Sequence, residues 1–244
     1  MTQNIYDDPA FFAGYSQLPR SIDGLEAAPE WPALRAFLPP LAGRRVLDLG
    51  CGFGWFCRWA ADEGAAAVLG VDLSERMLAR ARAETSAAVV RYGRADLEDF
   101  APQPGAFDLI YSSLAFHYVA DLRRLLAAAH AGLVPGGRLV FSIEHPIHTA
   151  PMQPGWLDVG GRKSWPVDSY MEEGPRTTDW LAPGVIKQHR TIGTHVALLI
   201  GAGFRVAALV EWAPSLEDLA AHPDWAGERE RPPFLLVACD RPEG

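Results

Sequence analysis

The sequence predicts an α/β fold with a doubly wound, mostly parallel sheet, and three observations carry that prediction. Apolar, β-branched runs alternate with helical patterns through the first part of the chain, the arrangement that lays helices on both faces of a parallel sheet. The runs are almost continuously hydrophobic, as strands covered on both sides are. The first run ends in GCGFG, with Gly50, Gly52 and Gly54 at alternate positions, where a sheet of this kind turns tightly into its first helix.

Taken in order, RVLDL (45–49), AAVLGVD (66–72), AAVVRY (87–92), FDLIYSS (107–113) and GRLVFSI (137–143) read as strands. Helix 54–63 stops at Gly64. Helix 74–84 opens with Ser74 as N-cap and Glu75 in its first turn, which satisfies free N–H groups and complements the helix dipole. Helix 121–131 starts at Asp121 and ends at Gly132, with Pro135 just beyond. From about residue 145 the texture changes to a Pro-, Gly- and Trp-rich stretch without clear period, too long for an ordinary connection and read as a functional insertion. VIKQHR (185–190) then reads as a strand, THVALLIGAG (194–203) as a helix, FRVAALVEW (204–212) as a strand and PFLLVACDR (233–241) as the last strand. No internal repeat and no low-complexity tract interrupts this order.

Bulk properties narrow the function classes. With 244 residues, 49% of them hydrophobic, one well-packed α/β domain is expected. The formal charge of −8 argues against a general nucleic-acid binder. Arg76, Arg80 and Arg82, and again Arg123 and Arg124, have the spacing of solvated helix faces. Cys51, Cys57 and Cys239 form no CxxC pair and no even disulfide framework, which fits a reducing cytoplasm. MTQNIYDDPAFF lacks the basic and apolar blocks of a signal peptide. The most apolar window, from Val196, is broken by Arg205 and two glycines and is too short to span a bilayer, so no membrane partner is expected.

The glycines let a ligand meet the backbone closely and supply positive φ where the chain reverses. A dinucleotide fingerprint asks for a third glycine three positions after the second, and Trp55 stands there. Asp48 is also a poor neighbour for a pyrophosphate, whereas S-adenosylmethionine carries a sulfonium and an ammonium that a carboxylate attracts. Asp72 ends the second strand and can accept from both ribose hydroxyls. Asp96 fits two roles, acceptor for the adenine amino group or a helix-cap or turn residue, and Leu73 and Leu97 would flank the adenine.

VLDLGCGFG, VLGVDLSERMLARARA, RADLEDF, FDLIYSSLAFHYVADL and LVPGGRLVFSIEHP, in that order, resemble the successive motifs of class I S-adenosylmethionine-dependent methyltransferases, in the small-molecule, methyltransferase type 11-like branch. The resemblance is strong over residues 40–145 and looser to the end, where FLLVACDR corresponds to the antiparallel strand the family inserts, giving a seven-stranded sheet. It implies that Asp48, Gly50 and Gly52 line the methionine part of the donor, Asp72 the ribose, and Asp96 with Leu97 the adenine. Ser112 after the fourth strand would face the methionine moiety, and Cys51 and Met77 are counted with the donor site. YDDPAFFAGYSQLPRS resembles the family's N-terminal lid helix. Tyr15 and Arg20 would then face the donor, Arg20 toward its carboxylate, although an aromatic anchor to the core explains Phe11, Phe12 and Tyr15 as well. The whole chain, 1–244, is read as a single methyltransferase domain: a lid (1–40), a donor-binding core (41–145), an acceptor-side insertion (146–190) and the C-terminal part of the sheet (191–244).

Methyl transfer is an in-line displacement with a good leaving group, so positioning suffices and a base is needed only for a protonated acceptor. His117 after the fourth strand and His145 after the fifth are the candidate catalytic histidines, against the alternative of core histidines bonded to backbone. Glu144, His145 and His148 lack an established ligand spacing, and no metal is expected. Trp156, Trp165, Tyr170 and Trp180 suggest an aromatic-lined pocket for a small acceptor, or anchors for a long loop. The expected activity is methyl transfer to an O, N or C nucleophile of a small molecule. The alternatives are an RNA or protein methyltransferase, a nicotinamide-dependent oxidoreductase, for which the chain lacks a TyrxxxLys pair, and a non-catalytic donor-binding module. Acceptor identity and oligomeric state are not written in the sequence.

Overall fold

A computed structural model describes residues 2–243. The strands, in chain order, are β1 (Arg45–Leu49), β2 (Ala67–Asp72), β3 (Val90–Arg94), β4 (Phe107–Ser113) and β5 (Leu133–Glu144), followed by two short hairpins. These are β6 (Leu157–Val159) with β7 (Arg162–Ser164), and β8 (Gly174–Trp180) with β9 (Ala182–His189). β10 (Arg205–Trp212) and β11 (Phe234–Asp240) complete the set. Seven of them form one sheet in the order β10-β11-β5-β4-β1-β2-β3. β1 to β5 run parallel, and β11 lies antiparallel between β5 and β10. The order in which strands are added to the sheet reverses between β1 and β4, which opens a crevice at the carboxyl ends of these strands.

The helices are α1 (Pro9–Tyr15), α2 (Pro19–Ile22), α3 (Trp31–Arg35), α4 (Trp55–Asp62), α5 (Glu75–Ala83), α6 (Leu122–Gly132), α7 (Pro146–Thr149), α8 (Ile192–Gly201), α9 (Leu216–Ala221) and α10 (Gly227–Glu230). Side chains alternate across the sheet, so each strand feeds two cores. Leu47, Leu49, Ile110 and Phe141 pack on one face with Leu122, Leu125 and Leu126 of α6 and Leu198 and Leu199 of α8. Val46, Leu109, Tyr111 and Val140 pack on the other with Trp31 and Leu34 of α3 and Phe56, Cys57 and Ala60 of α4. The expected caps form: Ser74 accepts from Met77 N (3.1 Å) and Asp121 from Arg124 N (3.0 Å).

Four expectations need correction. Burial on both faces holds for β1 and β4 but not for β3, which lies at the sheet edge and is half-exposed, as is β10 at the other edge. β5 is longer than 137–143, because Pro135–Gly136–Gly137 is absorbed into the strand with a register shift against β4. Residues 146–190 are only partly irregular: they hold α7 and two hairpins, and β8 escapes notice because GPRTTDW has no apolar alternation. The arginines are not simply solvated. Arg80 lies 4.0 Å from the Phe53 ring and donates to Ser21 O (3.2 Å), while Arg124 donates to Leu97 O (2.5 Å) and Phe100 O (3.1 Å). Both tie helices to loops that frame the crevice.

Candidate functional site

A cavity of about 1170 Å³ opens at the carboxyl ends of β1, β2, β4 and β5. One half of its wall begins with the glycine turn. Gly50, Gly52 and Gly54 all have positive φ (77°, 52° and 73°). A Cβ on Gly50 would sit 2.5 Å from Ala115 Cβ and one on Gly54 2.1 Å from the Tyr92 hydroxyl, whereas one on Gly52 meets nothing within 4 Å. Two glycines therefore let the turn pack, and the third leaves backbone facing open space. Asp72 is clamped by backbone: its Oδ2 accepts from Gly52 N and its Oδ1 from Ser74 N, both at 2.9 Å. Burial raises its carboxyl above the ordinary value, against the lowering effect of those two N–H groups.

Asp48 is more deeply set. It is 2% exposed, accepts from the Cys57 thiol (3.3 Å), and burial pushes its carboxyl up to about 7. Cys51, Leu73, Met77, Asp96 and Leu97 continue the same wall. Asp96 also accepts from Glu98 N (3.0 Å), so its turn role is present, on a residue that still lines the cavity.

The N-terminal segment closes over this half. Asp8 caps α1, and Asp7 accepts from Ser74 Oγ (2.5 Å) and Arg76 N (3.1 Å), which docks the segment onto α5. Tyr15 lines the cavity in edge contact with Tyr6, Phe53 and Trp180, so the anchoring and lining roles coincide. Arg20 lines it too, paired with Glu30 at 3.0 Å, and Glu30 is only 1% exposed. Glu30 Oε1, Ser21 Oγ and the indole N–H groups of Trp31 and Trp55 are buried without a partner in this wall. Carboxylates against a nucleoside and a sulfonium, a side-chain-free turn and unpaired polar atoms near an arginine are the donor set that S-adenosylmethionine asks for, and the residues fit it.

The other half is built by β4, β5 and the segment after β5. Ser113, Leu114, His117, Tyr118, Glu144, His148, Thr149, Trp165, Arg176, Trp180, Lys187 and Arg231 line it. Leu114 holds a positive φ of 53°, a strained conformation of the kind found at functional sites. Glu144 receives Lys187 Nζ at 2.5 Å, and its backbone N donates to His117 Nδ1 (3.3 Å). Burial pushes the Glu144 carboxyl upward, and His117, Lys187 and His148 around it more than reverse this, holding it at about 2. Burial lowers His117 and His148 to about 4 each.

Four sequence-derived residues fall outside the cavity. Ser112 is fully buried and donates to Leu49 O (2.7 Å), so it staples β4 to β1 and the wall position belongs to Ser113. His145 is the N-cap of α7: its Nδ1 accepts from Ile147 N (3.0 Å) and its Nε2 pairs with Glu211 (2.9 Å). His148, one turn on, reaches the cavity instead. Tyr170 accepts from Ile192 N (3.2 Å) through its hydroxyl and fixes the loop to α8, and Trp156 packs behind Trp165. Glu30, Lys187 and Arg231 carried no motif signal, since their partners are distant in sequence or lie in short, patternless elements. Among the described residues, no group of three or more His, Cys, Asp or Glu is placed to hold a metal ion.

This geometry, a glycine turn and acidic strand ends at the reversal point of a parallel sheet with one antiparallel strand, defines a donor-binding α/β fold. Comparison with known proteins gives its family. A family model described as "Methyltransferase domain" matches residues 47–141. The crystal structure of an S-adenosylmethionine-dependent methyltransferase from Mesorhizobium loti is 55% identical, covers 89% of this chain and 100% of that one, and superposes with a TM-score of 0.86. An uncharacterized protein of Haemophilus influenzae is 34% identical over 98% of both chains. Trans-aconitate 2-methyltransferase of Variovorax paradoxus is 39% identical over 120 residues, 47% of this chain and 46% of that one. The chain belongs to the S-adenosylmethionine-dependent methyltransferases: it is an enzyme, and S-adenosylmethionine is its methyl donor.

Proposed function

We propose that this methyltransferase acts on a small molecule, moving the methyl group to an oxygen, nitrogen or carbon nucleophile chiefly by positioning. One observation carries the reading: the cavity has two unlike halves and is roofed from both sides. Its volume of about 1170 Å³ exceeds the usual range of about 300–1,000 Å³ for one ligand and leaves room for donor and acceptor together. Gln3 bonds Gly184 O (2.8 Å) and Ile186 N (2.9 Å) in the β8–β9 hairpin, and Phe11 and Tyr15 pack edge-on against Trp180. A roof of this kind suits a diffusible metabolite better than a folded macromolecule, and among the described residues no helix is long and apolar enough to cross a membrane. The match to trans-aconitate 2-methyltransferase supports the same substrate scale.

In this reading Tyr15, Arg20, Asp48, Gly50, Cys51, Gly52, Asp72, Leu73, Met77, Asp96 and Leu97 hold the donor. The bound donor supplies an electrophilic methyl group on a positively charged sulfur. Asp72 orients the ribose, Asp48 places negative charge near the sulfonium end, and the aromatic lid excludes water. His117, with His148 in the place expected for His145, faces the acceptor. Holding the partners in line can supply about 7–11 kcal/mol of barrier lowering at best. Residues 1–40 act as lid, 41–145 as donor core, 146–190 as acceptor-side insertion and 191–244 as the rest of the sheet, within one unit. Three buried, free cysteines fit a cytoplasmic setting. The test is incubation with labelled donor and a cell extract, then mass identification of the product. Label found only on RNA or protein overturns the small-molecule reading.

A further inference from the structure

The acceptor half of the cavity wall carries three buried cations, set against the carboxylates of Glu144, Asp179 and Glu228. Lys187, Arg176 and Arg231 line it and are at least nine-tenths buried. Lys187 is answered by Glu144 at 2.5 Å, and Arg231 Nη2 by Glu228 at 2.5 Å. Arg176 has no carboxylate partner; its guanidinium donates only to backbone carbonyls, of Ala150 (3.0 Å), Ser169 (3.2 Å), Glu172 (2.7 Å) and Pro175 (3.4 Å). A buried cation without a counter-charge is costly, and a bound anion relieves that cost.

Unmet hydrogen-bonding capacity lies in the same wall. Arg231 Nε, Glu144 Oε2 and His148 Nδ1 are buried without partners. The Arg231 guanidinium lies 4.3 Å from the Trp165 ring, and the His148 ring is stacked on Trp165 at 5.5 Å and 11°. Glu228 and the two tryptophans beside it, Trp156 and Trp165, fix the guanidinium in place. A ligand that satisfies this wall brings one anionic acceptor to Arg231 and one O–H or N–H to Glu144 Oε2. Glu144 and Glu228 also face the cavity, so a monoanion is favoured over a phosphate dianion.

We propose that the acceptor is a small carboxylic acid bearing a hydroxyl or amine, its carboxylate seated on Arg231 and its O–H or N–H donating to Glu144. This rests on the small-molecule reading above and names its substrate class.

The test uses the full chain saturated with S-adenosylhomocysteine. Benzoate is titrated against benzamide, lactate, which also bears the hydroxyl, against lactamide, and phenyl phosphate separately, with calorimetry and tryptophan fluorescence as readouts. Each carboxylate is expected to bind about 10–100-fold more tightly than its amide, the size of one charge-assisted hydrogen bond. Arg231→Met abolishes that preference and Arg231→Lys retains part of it, with S-adenosylhomocysteine affinity unchanged in both. A merely structural Arg231 lowers acid and amide binding alike, and that result overturns the proposal. Equal affinity for acid and amide, no binding of either, or phenyl phosphate binding more tightly than benzoate overturns it too. These outcomes are read on the wild-type chain even if Arg231→Met does not fold. The labelled-extract experiment separates the two levels of inference. A methylated metabolite without a carboxyl group, free or esterified, overturns the carboxylic acid and leaves the small-molecule reading standing, whereas label confined to RNA or protein overturns both.

Discussion

The two halves of the cavity are built by different means. The donor half is made of strand ends and the turns that directly follow them, and its key side chain, Asp72, is fixed by backbone N–H groups of Gly52 and Ser74. The acceptor half leans on side-chain ion pairs: Glu144 with Lys187, 43 positions apart on β5 and β9, and Arg231, which ends α10, with Glu228 inside that helix. Backbone clamps form as soon as the local fold forms and tolerate little change. Side-chain pairs can be exchanged without altering the sheet. One fold can thus keep its donor while its acceptor varies.

The sharpest break in this contrast comes from the glycine turn. Gly50→Val drives a branched side chain into Ala115 at a positive φ, and a stability loss of up to about 6 kcal/mol is expected from overpacking and strain together. Gly52→Val meets open space, so its melting temperature falls less while donor affinity is lost. Equal melting curves for the two variants would remove the distinction between packing and ligand-facing glycines.

On the acceptor side, Lys187→Met leaves Glu144 buried without its cation, at a cost of about 3–5 kcal/mol. Adding Glu144→Leu should restore the stability but not the turnover, and chemical denaturation with a parallel rate measurement reads both. Recovery of turnover in the double variant would make the pair a structural strut only.

Asp72→Ala should weaken the donor by about 2–4 kcal/mol through two lost charge-assisted bonds, with the acceptor KM little changed. Calorimetry with S-adenosylhomocysteine is the check, and unchanged affinity would count against the ribose assignment.

A pH series gives a smaller effect. The Asp48 carboxyl is raised to about 7 by burial, so the folded chain keeps that proton up to near neutrality. The stability gained from the proton is therefore lost as pH rises from the ordinary carboxylate range through 7. The ionised form is the one that attracts a sulfonium. S-adenosylmethionine affinity should thus rise between pH 6 and 8, by at most about tenfold per unit, and more steeply than that of the neutral S-adenosylhomocysteine. Asp48→Asn should flatten the difference.

The smallest effect is expected at Ser112. Replacing it with Ala removes the bond to Leu49 O, at about 0.5–1.5 kcal/mol of stability, without a change in donor affinity.

The donor half was legible in the sequence because its signals are local. Turn glycines, an acidic strand end, and the Ser74 and Asp121 caps each depend on residues a few positions away. Ser112 was misplaced because FDLIYSS is apolar on both faces, so nothing in the run sets the phase that separates Ser112 from Ser113. In EHPIH the decisive detail is Pro146, which takes the first position of α7, makes His145 its N-cap and carries His148 toward the cavity. Hairpin β8–β9 was half seen: β9 showed as VIKQHR, whereas β8 pairs through polar residues around the buried Arg176. Long-range pairs such as Glu144 with Lys187 had no signature beyond a lone lysine in an apolar run.

The roof of the cavity is latched at Gln3, whose amide bonds two backbone groups of a hairpin some 180 positions away. Both bonds are neutral and exposed, worth about 0.5–1.5 kcal/mol each, which corresponds to a closing constant of only about 5–150. Thermal motion is enough to lift such a latch. The rest of the seal is the edge-on packing of Phe11 and Tyr15 on Trp180, so the closure is made of contacts that single substitutions can loosen one at a time.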